Sequence, residues 1–162
     1  MPADDKKRAA HLALVDRILN GDHAKAFTHA AMRGPPAWAV ADRELMAAYV
    51  ADVVGSAFCV GAHTATARQA YGNGPMVAAV LADLESAPVA EPLRATLRML
   101  GGLVTEGTVS AAGMRAVLAE DALAVCTAFG TTARLAEAFG FEVLSPEGFE
   151  AGAKYLLRRG YR

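Results

Sequence analysis

Cysteine is scarce in this 162-residue chain: Cys59 and Cys126 stand alone, too few for the disulfide framework that holds small secreted domains together. Charge of one sign is missing too. Lys and Arg number 16 against 17 for Asp and Glu, a net charge of −1, which argues against nucleic acid or an anionic membrane as the main partner. The longest uncharged run, Val53 to Ala67, falls short of the roughly 18 apolar residues a membrane span needs, and it holds Ser56 and His63. The stretch Met1 to Arg8 lacks the apolar core of a signal peptide. No strand-length period-two alternation and no strong internal repeat is present. These absences predict a soluble cytoplasmic protein with free thiols.

What is there is apolar and helical. Hydrophobic residues make up 54% of the chain, enough for one ordinary domain with a good core, so residues 1–162 are read as a single all-α domain. Helices are expected over Leu12 to Leu19, and from a cap at Asp22 to Met32, broken at Gly34-Pro35-Pro36. Two central helices fill about residues 42–71. Others start near Met76, run through Leu93, Leu97, Leu100 and Val104, form a short helix with Met114, Val117 and Leu118 capped from Ser110, and extend from Leu123 to Phe139. Ser145-Pro146-Glu147 opens the last with a cap and a first-turn proline. The pairs Ala30-Ala31, Ala47-Ala48, Ala78-Ala79 and Ala111-Ala112 offer more small apolar faces than one core can absorb, which predicts a homo-oligomer.

The chemistry concentrates in the central pair. Asp42 is a good N-cap for a helix carrying Glu44, Leu45, Met46, Tyr49 and Val53, ended by Gly55. Ser56 caps the next, which runs to Tyr71 before Gly72-Asn73-Gly74-Pro75. That register puts Cys59 in the first turn, where free N–H groups and the positive end of the dipole favour a thiolate. His63 follows four residues later on the same face. Glu44 on the partner helix is then placed to fix the imidazole tautomer and raise its basicity.

At these positions the sequence resembles the alkylhydroperoxidase D and carboxymuconolactone decarboxylase superfamily. Its motif is a glutamate, eleven intervening residues, then Cys-x-x-Cys-x-x-x-His; Glu44, Ser56, Cys59 and His63 keep the spacing, and Val60-Gly61-Ala62-His63-Thr64-Ala65 is close to the usual wording. The likeness runs from about Trp38 through Val109-Ser110-Ala111-Ala112 to Arg134-Leu135-Ala136-Glu137-Ala138-Phe139-Gly140. The resemblance implies an alkylhydroperoxidase D-like helical bundle, assembled as a trimer or hexamer. The first motif cysteine is Ser56, so a self-contained two-cysteine cycle is not implied, and the asparagine that often precedes the closing-helix arginine is Ala133.

Three functions compete. The first is a one-cysteine peroxidase in which a Glu44/His63 relay activates Cys59, Ser56 hydrogen-bonds it, a small hydroperoxide is the substrate and an external thiol reduces the sulfenic acid. The second is a decarboxylase-like enzyme using His63 and Glu44 for acid–base work on a small organic acid. The third is a non-catalytic oligomeric relative. No organic cofactor or metal is implied, since His11, His23 and His29 make no tight set with Cys59. Simple structural roles stand beside each functional one. Glu44 suits a first helical turn, Ser56 serves as a cap and Cys126 packs beside Val125 and Phe129. Trp38 and Tyr49 are candidates to line a cavity over the thiol, with core packing the ordinary alternative. Arg158, Arg159 and Arg162 read as a solvated helix end.

Overall fold

The computed structural model describes residues 9, 13, 17, 21–35 and 37–162. Seven helices and no strand occur among them: α1 (Asp22–Arg33), α2 (Val40–Val54), α3 (Ala57–Tyr71), α4 (Gly74–Ala82), α5 (Glu91–Glu106), α6 (Ala116–Ala138) and α7 (Pro146–Arg159). The helix expected over Leu12 to Leu19 lies outside the described residues except for Ala13 and Arg17.

Helix α2 is the axis of the bundle. It packs most extensively on α3, and also on α5 and α6. Its residues Ala41 and Arg43 to Ala48 are all buried, as are Val50 and Ala51. An ordinary surface helix shows one apolar stripe; a helix buried around its circumference must be enclosed by neighbours on every side. The Ala47-Ala48 pair is therefore spent on the core, while Ala30, Ala78 and Ala112 remain exposed. Phe27, Val109, Val143, Leu144 and Tyr155 are exposed as well.

Gly55 turns the chain between α2 and α3. Its φ of 86° lies in the left-handed region, and its N–H bonds back to Ala51, closing α2 and letting α3 fold back antiparallel. Tyr71 at the far end of α3 donates a hydrogen bond to Asp42 near the start of α2, which fastens the open end of the pair. Asp42 is not the cap that sequence reasoning made it. Ala39 occupies that position, and the Asp42 carboxylate at the third helical residue accepts the Ala39 N–H at 3.2 Å. Asp22 likewise lies inside α1, after a Gly21 cap.

The short helix expected over Met114, Val117 and Leu118 and the one expected from Leu123 merge into α6, which starts at Ala116 and leaves Met114 outside it. Ser110 does not cap it; Arg115 takes the cap position. Nothing between Ala116 and Leu123 breaks a helix, and packing of Ala119, Ala122 and Val125 against the core joins the two halves. α6 is long and apolar enough to cross a membrane by length and composition. It carries Asp121, however, whose carboxylate pairs with the buried Arg43 at 2.7 Å. Arg43 also donates to the Gly34 and Pro35 carbonyls, and Trp38 Nε1 donates to Leu118 O at 3.0 Å. Trp38 is thus a clasp between the α1–α2 turn and α6. The last helix starts as the sequence indicates, with Ser145 Oγ accepting the Gly148 N–H and Pro146 in the first turn.

Candidate active site

Three buried or half-buried side chains converge on one carboxylate. Glu44 is fully buried on α2. Its Oε2 lies 2.9 Å from His63 Nδ1 on α3. Its Oε1 accepts from Arg33 Nη2 at 2.7 Å, from the last turn of α1. The Tyr161 hydroxyl lies 3.0 Å from each carboxylate oxygen. Burial alone pushes the Glu44 carboxyl up, but the bonds and charges of His63 and Arg33 outweigh it and hold the group below its ordinary value. Glu44 is therefore ionised near neutrality, a charge made tolerable in the interior by several donors.

That ionisation fixes the histidine. A carboxylate only accepts, so the proton on the shared line belongs to His63 Nδ1, and in the neutral ring Nε2 keeps its lone pair. Among the described residues no hydrogen bond reaches Nε2. The ring sits edge-on against Phe129 at 4.1 Å and faces Tyr161 at 6.4 Å, so it cannot swing freely. The result is an oriented base at the wall of a cavity.

Cys59 lines the same cavity. It is 2% exposed and packs with Ala51, Ala133 and Ala136, while Phe58 and Phe141 lie beside it. Sequence reasoning expected the first-turn position and the nearby imidazole to depress its pKa. The outcome is opposite: burial pushes the thiol up, the Ser56 hydroxyl offsets part of that, and Glu137 adds to the rise. Apolar walls, Ala133 among them, cost a thiolate more than a helix terminus returns. The resting form is the neutral thiol.

Ser56 holds the cap position of α3 but makes no side-chain cap bond. Its Oγ is buried without a hydrogen-bond partner of ordinary geometry among the described residues, although it acts on the Cys59 sulfur. Cys126 belongs to the main core, in a cluster separate from Cys59, and both thiols are free. Trp38 and Tyr49 do not line the cavity; Tyr49 packs against Gly101 instead. Among the described residues no cluster of three His, Cys, Asp or Glu side chains could hold a metal ion.

The cavity has a volume of about 620 Å³. Its aromatic walls come from Phe58, Phe129, Phe141, Phe149 and Tyr161. Gly61 is what admits Phe149. A Cβ at that position would meet the Phe149 ring at 2.4 Å, so the missing side chain lets α7 close over α3. Sequence reasoning missed Arg33 and Tyr161. Neither stands out in the sequence, and the neighbouring Arg162 reads as part of a solvated helix end. In the structure Arg33 stacks over the Tyr161 ring, 5.2 Å from its centroid, and the tail returns to α1, where Arg162 Nε donates to His29 Nε2 at 3.1 Å.

Solved structures share this architecture. An uncharacterized peroxidase-related protein from Ralstonia eutropha JMP134, described as an alkylhydroperoxidase AhpD core, aligns over 94% of this chain and 91% of its own with a TM-score of 0.70 and 20% identity. An uncharacterized peroxidase-related protein from Silicibacter sp. TM1040 aligns over 77% of this chain and 69% of its own, with a TM-score of 0.69 and 20% identity. No family model and no curated protein matches the sequence. The fold is the all-α alkylhydroperoxidase D-like bundle.

Proposed function

We propose that the protein is a one-cysteine peroxidase-type oxidoreductase of the alkylhydroperoxidase D-like superfamily. The observation that supports the reading best is the shared cavity wall. Cys59 shares that wall with an imidazole one helical turn along α3, whose Nδ1 proton is held by an ionised Glu44, leaving Nε2 free to accept. A hydroperoxide enters, and the Cys59 proton passes to His63 Nε2. The sulfur attacks the terminal peroxide oxygen, the O–O bond breaks, and the departing alkoxide takes the proton back as an alcohol. Cys59 is left as sulfenic acid. One external thiol then forms a mixed disulfide and releases water; a second frees the Cys59 thiol and leaves as the external disulfide. Because the resting thiol is neutral, the proton transfer belongs to the reaction itself. Tyr161 and Arg33 keep Glu44 in place through both halves of the cycle.

A second reading draws on the same raised thiol: His63 and Glu44 serve as acid–base pair on a small organic acid, with Cys59 as wall. Consumption of an organic hydroperoxide by the purified protein with an added dithiol separates the two. The peroxidase reading expects turnover, a trappable sulfenic acid at Cys59, and loss of both in Cys59→Ala. Turnover that survives in Cys59→Ala, or none in the native chain, would defeat it. The homo-oligomer, a trimer or hexamer, and a cytoplasmic location remain part of the proposal, supported by the exposed Phe27, Val143, Leu144 and Tyr155 and by the thiol chemistry.

A further inference from the structure

The cavity over Cys59 is much larger than hydrogen peroxide requires. A water molecule, of similar size, occupies about 30 Å³ of liquid, against about 620 Å³ here. Its walls are mostly aromatic and aliphatic, and a largely apolar cleft of this size gains by taking up an apolar body.

The permanently charged side chains that line it directly are both cations. Lys25 of α1 and Arg162 are the lining residues with a permanent charge, and no carboxylate lines the cavity. Both cations are exposed, whereas Cys59 and His63 are buried. Among the described residues neither cation forms an ion pair. Both also border an adjoining surface depression with His29 and Asp22, which places them at the rim rather than the floor. The site thus has a reactive, buried end, an apolar middle and a cationic mouth.

We infer that the cavity takes a long apolar ligand bearing a single carboxylate, with the tail inside and the carboxylate between Lys25 and Arg162. Resting on the peroxidase reading, the substrate is then a hydroperoxide of a long-chain carboxylic acid. Its O–O bond is directed to Cys59 and reduced to the corresponding hydroxy acid by the steps given above. The rim charges select the anion, and the aromatic walls select against small peroxides.

Binding and turnover test this separately. Displacement of an apolar fluorophore by a sixteen-carbon fatty acid, by its methyl ester, and by the acid from a Lys25→Glu/Arg162→Glu double variant isolates the mouth. The free acid should bind, and both the ester and the charge reversal should weaken binding about tenfold, the loss expected for charge-assisted contacts. Circular dichroism confirms that the double variant, altered at exposed positions, keeps its helices. Equal binding of acid and ester, indifference to the charge reversal, or no binding at all overturns the inference. Acid binding without consumption of any hydroperoxide leaves the ligand class standing and removes the peroxidase reading. Equal turnover of hydrogen peroxide and the fatty-acid hydroperoxide, without acid binding, does the reverse.

Discussion

Tyr161 and Glu44 are 117 positions apart in sequence, yet the phenol of one lies 3.0 Å from both carboxylate oxygens of the other. Burial, together with the Glu44 charge, pushes the Tyr161 hydroxyl well above its ordinary value, so it stays protonated and acts as a donor. The end of the described chain thereby completes a site begun in α2. The Tyr161 backbone nitrogen also lies 3.3 Å from His29 Nδ1, which keeps the tail beside α1; a neutral imidazole accepts through one nitrogen only, so this bond and the Arg162 bond alternate.

Tyr161→Phe removes one donor to a buried carboxylate and keeps the ring over Arg33. A hydrogen bond to a charged group is worth roughly 1.5–3 kcal/mol, so chemical denaturation should show a loss of about that size. His63 should keep its Nδ1–H tautomer, read from imidazole nitrogen chemical shifts, because Glu44 and Arg33 remain. A stability unchanged within 0.5 kcal/mol, roughly the scatter for neutral surface changes, would show that the phenol does not hold the carboxylate.

Glu44→Gln should damage both stability and chemistry. It leaves Arg33 without its carboxylate partner in a half-buried setting, a loss of roughly 3 kcal/mol. The new amide can present N–H to His63 Nδ1, which moves the ring proton to Nε2 and abolishes the base. Turnover should fall by about 10²–10⁴-fold, the range for a misoriented catalytic imidazole. Nitrogen shifts showing an unchanged tautomer would contradict this account.

Stability of the native chain should fall in acid, partly through Glu44. Its folded pKa lies below the ordinary value of 4.5, so its contribution is present above that value and is lost as pH falls through the lower folded one. Melting curves from pH 6 downward should therefore show a decline that Glu44→Gln flattens. Parallel curves for the two proteins would remove Glu44 as the cause.

Cys59 should alkylate at pH 7 more slowly than a free model thiol, and the rate should rise with pH beyond the ordinary thiol range. The sign follows from burial, which raises the pKa and leaves little thiolate at neutrality. Ser56→Ala removes the offsetting hydroxyl and should slow the reaction further. A Cys59 that outpaces the model thiol at pH 7 would restore the low-pKa thiolate expected from the helix position.

Gly61→Ala should force the Phe149 ring from its place on α3, because the added carbon would sit 2.4 Å from it. Overpacking of this kind costs about 1–3 kcal/mol. Since Phe149 lines the cavity, the affinity for any apolar ligand should change with it, while the Glu44–His63 bond, on other faces, should persist. Native stability and ligand affinity in the variant would show that α7 does not close on that glycine.

Local chemistry carried much of this protein. Residue spacing placed Cys59 and His63 one turn apart, Gly55 and Gly72 marked the helix ends, and Ser145-Pro146 opened the last helix, because caps, left-handed glycines and 3.6-residue periodicity act within a few residues. The eleven residues between Glu44 and Ser56 likewise made the Glu44–His63 contact legible, since a tight antiparallel return leaves few alternatives. Packing decided the rest. Whether Cys59 is a thiolate depends on Ala51, Ala133 and Ala136 around the sulfur, which come from two other helices. Whether Glu44 can stay charged depends on Arg33 and Tyr161, delivered from opposite ends of the described chain. Desolvation and charge pairing sum over everything within a few ångströms in space, a neighbourhood that only the assembled bundle defines.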